Sequence, residues 1–224
     1  MTVAAVILAA DSASALRDVE GVTNVRRLAD TAWAGGALPI VVVSFDPDGA
    51  VANALAGSPA VLAAPAPHEA GPVGQICRGI DVAQAGVDGT DAALVWPARF
   101  GWVDAETVTS LIEAHGTDRA TVLRPAFRGE AGWPALVPVV HLEALRALHA
   151  ALMPGPLVEA LIAAIGGRLV ELGDPGTVHD LDTPRAELPP FEAPPEPVSA
   201  LHYEWGSTAA AGPDESPDPA RTVG

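Results

Sequence analysis

The chain contains no lysine: all twelve of its cationic side chains are arginines. Any mechanism that needs an ammonium group is therefore excluded. The single cysteine, Cys77, rules out an internal disulfide, and no cysteine–histidine cluster has the spacing of structural zinc. Aromatics make up only 4% of the residues, so the core must be built from small aliphatic side chains. No window reaches the roughly 18 uncharged apolar residues of a membrane helix. Nor does the apolar start carry a basic n-region or a cleavage site, so it does not read as a signal peptide. These absences lead to the expectation of a cytoplasmic protein without a membrane partner. Basic charge is also scarce. The formal net charge of −16 leaves no basic face to displace counterions, which argues against nucleic-acid binding.

What is present is apolar and patterned. Of the 224 residues 49% are hydrophobic, enough for one ordinary domain with an extension. Val3 to Ala10 is an uninterrupted apolar run followed by Asp11-Ser12-Ala13-Ser14. It reads as a buried parallel strand feeding a loop, a place where backbone N–H groups cradle phosphates in many nucleotide-binding domains. Thr23 is placed to cap a helix over Val25, Leu28, Ala29, Ala32 and Trp33, ended by Gly35-Gly36. Pro39–Phe45 is a second buried strand. Asp46-Pro47 starts a short helix, Ala60–Ala63 is a third strand, and Gly71-Pro72 enters a helix through Ile76 and Ile80. Strands follow at Ala92–Trp96, Thr121–Arg124 and Ala135–Val137, with an Asp104-capped helix after the first of these. Helices are expected over His141–Leu152 and Leu157–Ile165, an edge strand over Arg168–Leu172, and a final short helix from Thr183-Pro184. Strands alternating with amphipathic helices predict an α/β fold with a mostly parallel sheet and helices on both faces. From residue 188 to 224 prolines punctuate a segment without apolar periodicity, expected to be an extended and partly disordered tail on a 1–187 domain.

The order of motifs resembles the MobA-like NTP transferase family, which includes molybdopterin guanylyl- and cytidylyltransferases. The features that carry it are Val6-Ile7-Leu8-Ala9-Ala10, Gly71-Pro72-Val73 ahead of Arg78-Gly79, the loop before Asp104-Ala105-Glu106-Thr107-Val108, Gly132-Trp133-Pro134, and Asp180-Leu181-Asp182-Thr183-Pro184. Together they span roughly residues 2–187. The resemblance implies a three-layer α/β/α, Rossmann-like nucleotide-diphospho-sugar-transferase fold. It also implies transfer of NMP from an NTP to a phosphorylated acceptor such as molybdopterin, in molybdenum cofactor maturation. Such chemistry is mostly positioning and charge neutralisation, and in the family Mg²⁺ is held by an aspartate after the fourth strand. On this resemblance the nucleotide-binding candidates are Ala9, Ala10, Asp11, Ser12, Gly71, Pro72, Gly74 and Arg78. Asp180 and Arg99 are the catalytic candidates. A nucleotide or other phosphorylated small molecule is the expected partner, with a molybdenum enzyme as a further one.

The chain departs from the family pattern where the chemistry is done. Asp11 stands at the first loop glycine, Ala15 at the loop arginine and Arg17 at the last loop glycine. The segment that brings a lysine to the phosphates is shortened to Asp18-Val19-Glu20-Gly21-Val22. Counting back from Glu106, the metal aspartate falls on Arg99. A unit charge pair at about 4 Å is worth roughly 4 kcal/mol at an effective dielectric of 20, so a guanidinium facing a divalent cation is strongly repelled. Arg99 therefore either binds an anion directly or pairs with a nearby acid such as Asp104. Asp182 reads best as a helix cap and Asp180 as the functional acid of its motif, with His179 beside it either structural or a base. Arg26 and Arg27 read as a solvated helix face. Trp96, Phe100, Trp102 and Trp133 gather near the expected ligand mouth, either to stack on a ring or to pack. Two readings stand: an active nucleotidyltransferase, and a catalytically degenerate relative that binds an anionic ligand or partner protein, with Mg²⁺ implied by the family and disfavoured by Arg99. A third, an interaction protein acting through the tail, ranks below both.

Overall fold

The computed structural model describes residues 1–9 and 12–192. The expectations for Ala10, Asp11 and the tail beyond Glu192 lie outside the described residues. Strand β1 (Thr2–Ala9) is the centre of the sheet, and its residues 3–7 are at most 3% exposed. It pairs in parallel with β4 (Ile40–Ser44) on one side and β6 (Thr90–Pro97) on the other. Beyond β4 lies β5 (Ala60–Ala63), also parallel. Beyond β6 the order continues through β9 (Ala135–Pro138), β7 (Val122–Phe127) and β10 (Gly167–Glu171). Strand β9 runs antiparallel to both of its neighbours. The short β8 (Glu130–Ala131) folds back on β7. A continuous apolar run such as Val3–Leu8 is what a strand covered on both faces requires.

Helix α4 (Gly71–Gly86) packs on one face of β1 and β4, with α6 (Leu142–Arg146) and α7 (Pro154–Ile165) beside it. The other face carries α2 (Asn24–Ala34) and α5 (Ala105–Thr117). Two short helices, α1 (Ser12–Leu16) and α3 (Ala50–Ala54), pack on each other and on α2. Asp104 caps α5 by accepting the backbone N–H of Glu106 at 2.9 Å. Among the described residues no helix is long and apolar enough to cross a membrane.

Several boundaries differ from the sequence expectation, each for a local reason. Thr23 stands at the N-terminus of α2 without a side-chain capping bond, and Trp33, expected on the buried stripe, is 54% exposed. The segment between α1 and α2 forms a hairpin of β2 (Asp18–Val19) and β3 (Val22–Thr23). Glu20 and Gly21 both take positive φ at its turn, the geometry of a tight two-residue loop. Asp46 accepts from the N–H groups of Val51 and Ala52, so α3 starts at Ala50, after Asp46-Pro47. The helix expected over His141–Leu152 stops at Arg146. Met153, preceding Pro154, is held extended, and the His149–Ala151 turn instead packs on Gly71. Pro184 begins a 3₁₀ turn at Arg185–Glu187.

At the opposite end of the sheet from the loops that follow β1 and β6, His115 is fully buried near the end of α5 with neither ring nitrogen hydrogen-bonded. Burial, and then Arg119, push its pKa below the usual histidine value, against the raising influence of Asp91 and Asp118. A lowered folded pKa means the fold resists protonation. Stability should therefore fall as pH drops below about 6.5, the value of an unfolded histidine. Urea titrations of wild type and His115→Phe between pH 7.5 and 5.5 should show a steeper acid loss for wild type. Parallel curves would exclude this role for His115.

Candidate functional site

The C-terminal ends of β1, β4 and β6 converge, and two features share that rim. The first is a cavity of about 880 Å³ floored by Leu8 and Ala9 of β1 with Val43 and Ser44 of β4. Gly71 and Pro72 at the start of α4 form one wall. Gly71 takes φ +58°, and a Cβ built there would lie 2.1 Å from the carbonyl oxygen of Ala150. Glycine is thus required both by the backbone angle and by the turn that packs against it. Phe45 and Met153 stand more than 60% exposed at the cavity lining. The polar side chains of the lining are Ser44, His68, Glu69, Gln75 and His149; no arginine is among them. Gln75 is committed to structure, since it accepts from the N–H of Ala66 and donates to the carbonyl of the same residue.

The second feature lies beyond β1, where the loop after β6 meets the segment after His179. The carbonyl of Leu8 accepts from the N–H of Ala98, so the cavity floor and this loop are joined by one hydrogen bond at 3.0 Å. Arg99 follows at once. Its Nη2 donates to Oδ2 of Asp180 at 2.5 Å. Arg99 therefore pairs with Asp180 and not with Asp104, whose carboxylate caps α5. Leu181 donates its N–H to the carbonyl of Arg99. Arg17 grips the same segment from the α1 side, donating to Asp182 at 2.9 Å and to the carbonyl of Leu181 at 2.6 Å. Asp182 is thus an ion-pair partner of Arg17 and not a helix cap. Asn24, fully buried, donates to the carbonyls of Ser14 and Ala98 and ties α1 to the loop after β6.

Arg27 also differs from the expectation of a solvated face. Its Nε donates to the carbonyl of Gly101 at 2.8 Å and its guanidinium lies 5.4 Å from the Trp102 ring centroid. Arg185 approaches the same ring at 5.8 Å, and Glu20 pairs with both arginines. Helical periodicity placed Arg27 away from the core, and the loop after β6 folds over to meet it. Burial, with Arg185, holds the Arg27 guanidinium below its usual pKa range against the opposing pull of Glu20 and Asp104. Arg26 points elsewhere, to Asp30 and the carbonyl of Ala56.

Of the candidates read from sequence, Ala9, Gly71 and Pro72 come together around the cavity, and Arg99 and Asp180 come together as an ion pair. Ser12 opens α1 at an exposed position. Gly74 and Arg78 lie outside the cavity lining. A Cβ at Gly74 would sit 2.3 Å from that of Ala70, and Arg78 donates to the carbonyl of Ala64. Among the four aromatics, Trp96 is fully buried with its indole N–H on the carbonyl of Phe100. Phe100 and Trp133 pack on each other at 6.0 Å with less than 10% exposure, leaving Trp102 as the half-buried one. Arg17 is set apart in the sequence only as the residue at the last loop glycine of the family pattern, and Arg185 carries no spacing signal to distinguish it from other surface cations.

Magnesium, implied by the resemblance, does not fit the described residues. The position matched to the metal aspartate is a guanidinium already bound to the neighbouring carboxylate, and no three acids, histidines or cysteines among the described residues converge to hold a metal ion.

A family model described as the MobA-like NTP transferase domain matches residues 5–165. No curated protein matches the chain significantly. A nucleotidyl transferase from Methanothermobacter superposes with a TM-score of 0.61 at 22% identity, over 76% of this chain and 87% of that one. A 4-diphosphocytidyl-2C-methyl-D-erythritol synthase gives 0.61 at 17%, covering 82% and 94%. A CMP:2-keto-3-deoxy-manno-octonic acid synthetase solved with CTP gives 0.55 at 14%, covering 77% and 90%. At these identities the likeness carries the fold.

Proposed function

From the premise that the chain belongs to the MobA-like NTP transferase family, we propose that it binds a phosphorylated small molecule at the rim of β1, β4 and β6 without metal-dependent nucleotidyl transfer. The observation that carries this reading is the Arg99–Asp180 ion pair at 2.5 Å. Fixed positive charge stands where the transfer reaction needs a divalent cation between carboxylates, and a guanidinium cannot polarise a phosphorus centre as a metal does. It recognises phosphate well, in a planar fork. The cavity suits the other part of such a ligand, because its lining is mostly apolar and free of arginine. The setting we propose is molybdenum cofactor maturation, with a nucleotide or pterin phosphate as ligand and a molybdenum enzyme as partner.

Active transfer is the competing reading, and family membership favours it. The two separate cleanly in a pyrophosphate-release assay with MgCTP or MgGTP and molybdopterin. The proposed reading expects release at the background rate. Saturable release above background would contradict it.

A further inference from the structure

Residues 180–182 are held between two arginines that come from different loops. Arg99 takes the carboxylate of Asp180, Arg17 takes that of Asp182, and both also engage Leu181, one by its main-chain carbonyl and the other through its side chain. The remaining oxygen of Asp180 accepts the N–H of Asp182 at 3.1 Å, which folds the two acids into one compact turn. Arg17 and Arg99 thus present their guanidiniums to a pair of anionic groups two residues apart. Phosphate oxygens are bound by guanidiniums in the same way as these carboxylates.

Each bridge has one side open to water: the Arg99 side chain is 66% exposed and that of Asp182 86%, while Asp180 is mostly buried at 18%. Among the described residues Arg99 makes no other side-chain hydrogen bond than the one to Asp180, so most of its donors are uncommitted. The Arg17–Asp182 pair, the more exposed of the two, is of the kind that contributes little to folding. Arg17 has the firmer anchor, since its second bond goes to the carbonyl of Leu181, which would remain if Asp182 were released.

We propose that Arg17 and Arg99 form a two-guanidinium site for the phosphoryl group of a small molecule, and that Asp180 and Asp182 occupy it as an internal competitor. The inference rests on the reading of the preceding subsection and adds the identity of the anion site and its gate. An incoming phosphoryl group exchanges for the two carboxylates at the guanidiniums, and no covalent bond is made or broken. The acids then lower the affinity of wild type for any anion, so that only a ligand that also fills the cavity displaces them.

The test is calorimetric titration of inorganic pyrophosphate, without metal and at low ionic strength. Asp180→Asn combined with Asp182→Asn keeps the shapes and removes two negative charges. It should bind pyrophosphate about tenfold more tightly than wild type or better. Adding Arg99→Gln should return the affinity to the wild-type level or below. If the double variant fails to fold, Asp182→Asn alone, at its exposed position, should still tighten binding, by about threefold. An affinity unchanged by removal of the acids, or a gain that survives Arg99→Gln, would overturn the proposal. Its failure is distinct from that of the functional reading, because the latter is decided by pyrophosphate release from wild type with MgCTP or MgGTP and is untouched by a metal-free comparison among variants.

Discussion

Gly79→Leu is expected to destabilise the fold by about 4 kcal/mol or more, a large part of the 5–15 kcal/mol that domains of this kind possess. Gly79 lies in α4 where the helix crosses the sheet. A Cβ built there would sit 2.2 Å from a methyl of Val6 and 3.1 Å from one of Val43. Both valines belong to central strands, and neither is more than 4% exposed. A β-branched side chain in a strand has few rotamers into which it can retreat. The helix would have to lift from β1 and β4. Those strands floor the cavity and α4 walls it, so the damage reaches the site as well as the core. Chemical denaturation should show a much lower midpoint for Gly79→Leu. A midpoint close to wild type would mean that α4 does not approach the sheet as described.

Asp174→Ala should cost about 3 kcal/mol, from the loss of three hydrogen bonds to a buried acceptor. Asp174 is 2% exposed and follows β10. Its carboxylate accepts the N–H of Asp104, the hydroxyl of Thr107 and the N–H of Gly176, all between 2.7 and 2.9 Å. It thereby fixes the start of α5, directly after the loop that carries Arg99 and Trp102. Burial raises its pKa above the usual carboxylate value, against the lowering effect of those bonds. Asp174→Asn removes the buried charge while keeping one acceptor oxygen, so its loss should be clearly smaller than that of alanine. Equal losses for the two variants, measured by denaturant titration, would place the role of Asp174 in charge rather than in hydrogen bonding.

The fold was legible because its signals are local. The run Val3–Leu8 and the strands at Ile40–Val43 and Ala60–Ala63 are apolar throughout, and the helices between them carry spaced apolar stripes. What escaped was set by contacts distant in sequence. Arg27 looked solvent-facing because the loop that covers it begins some seventy residues later, at Gly101. Asp182 looked like a cap because Asp and Thr before Pro usually cap helices, whereas its partner, Arg17, is 165 positions away. The helix expected through Leu152 ends at Arg146, with Met153 held extended before Pro154 and the turn at Ala150 packed closely against Gly71. The motif order placed Arg99 at the position that the resemblance assigns to the metal aspartate, while the ion pair Arg99 makes could not be read from it. Arg99 had acidic neighbours to choose from, and the fold selects Asp180.

If guanidiniums stand in for a metal ion, nucleotide affinity should not depend on metal, and that dependence is the most direct measurement. Titrating wild type calorimetrically with CTP, once in excess Mg²⁺ and once in EDTA, should give dissociation constants that agree within about twofold, less than half a kcal/mol. Binding tighter in Mg²⁺ by tenfold or more, about 1.4 kcal/mol, would contradict the account and return the chain to the metal-dependent transferases.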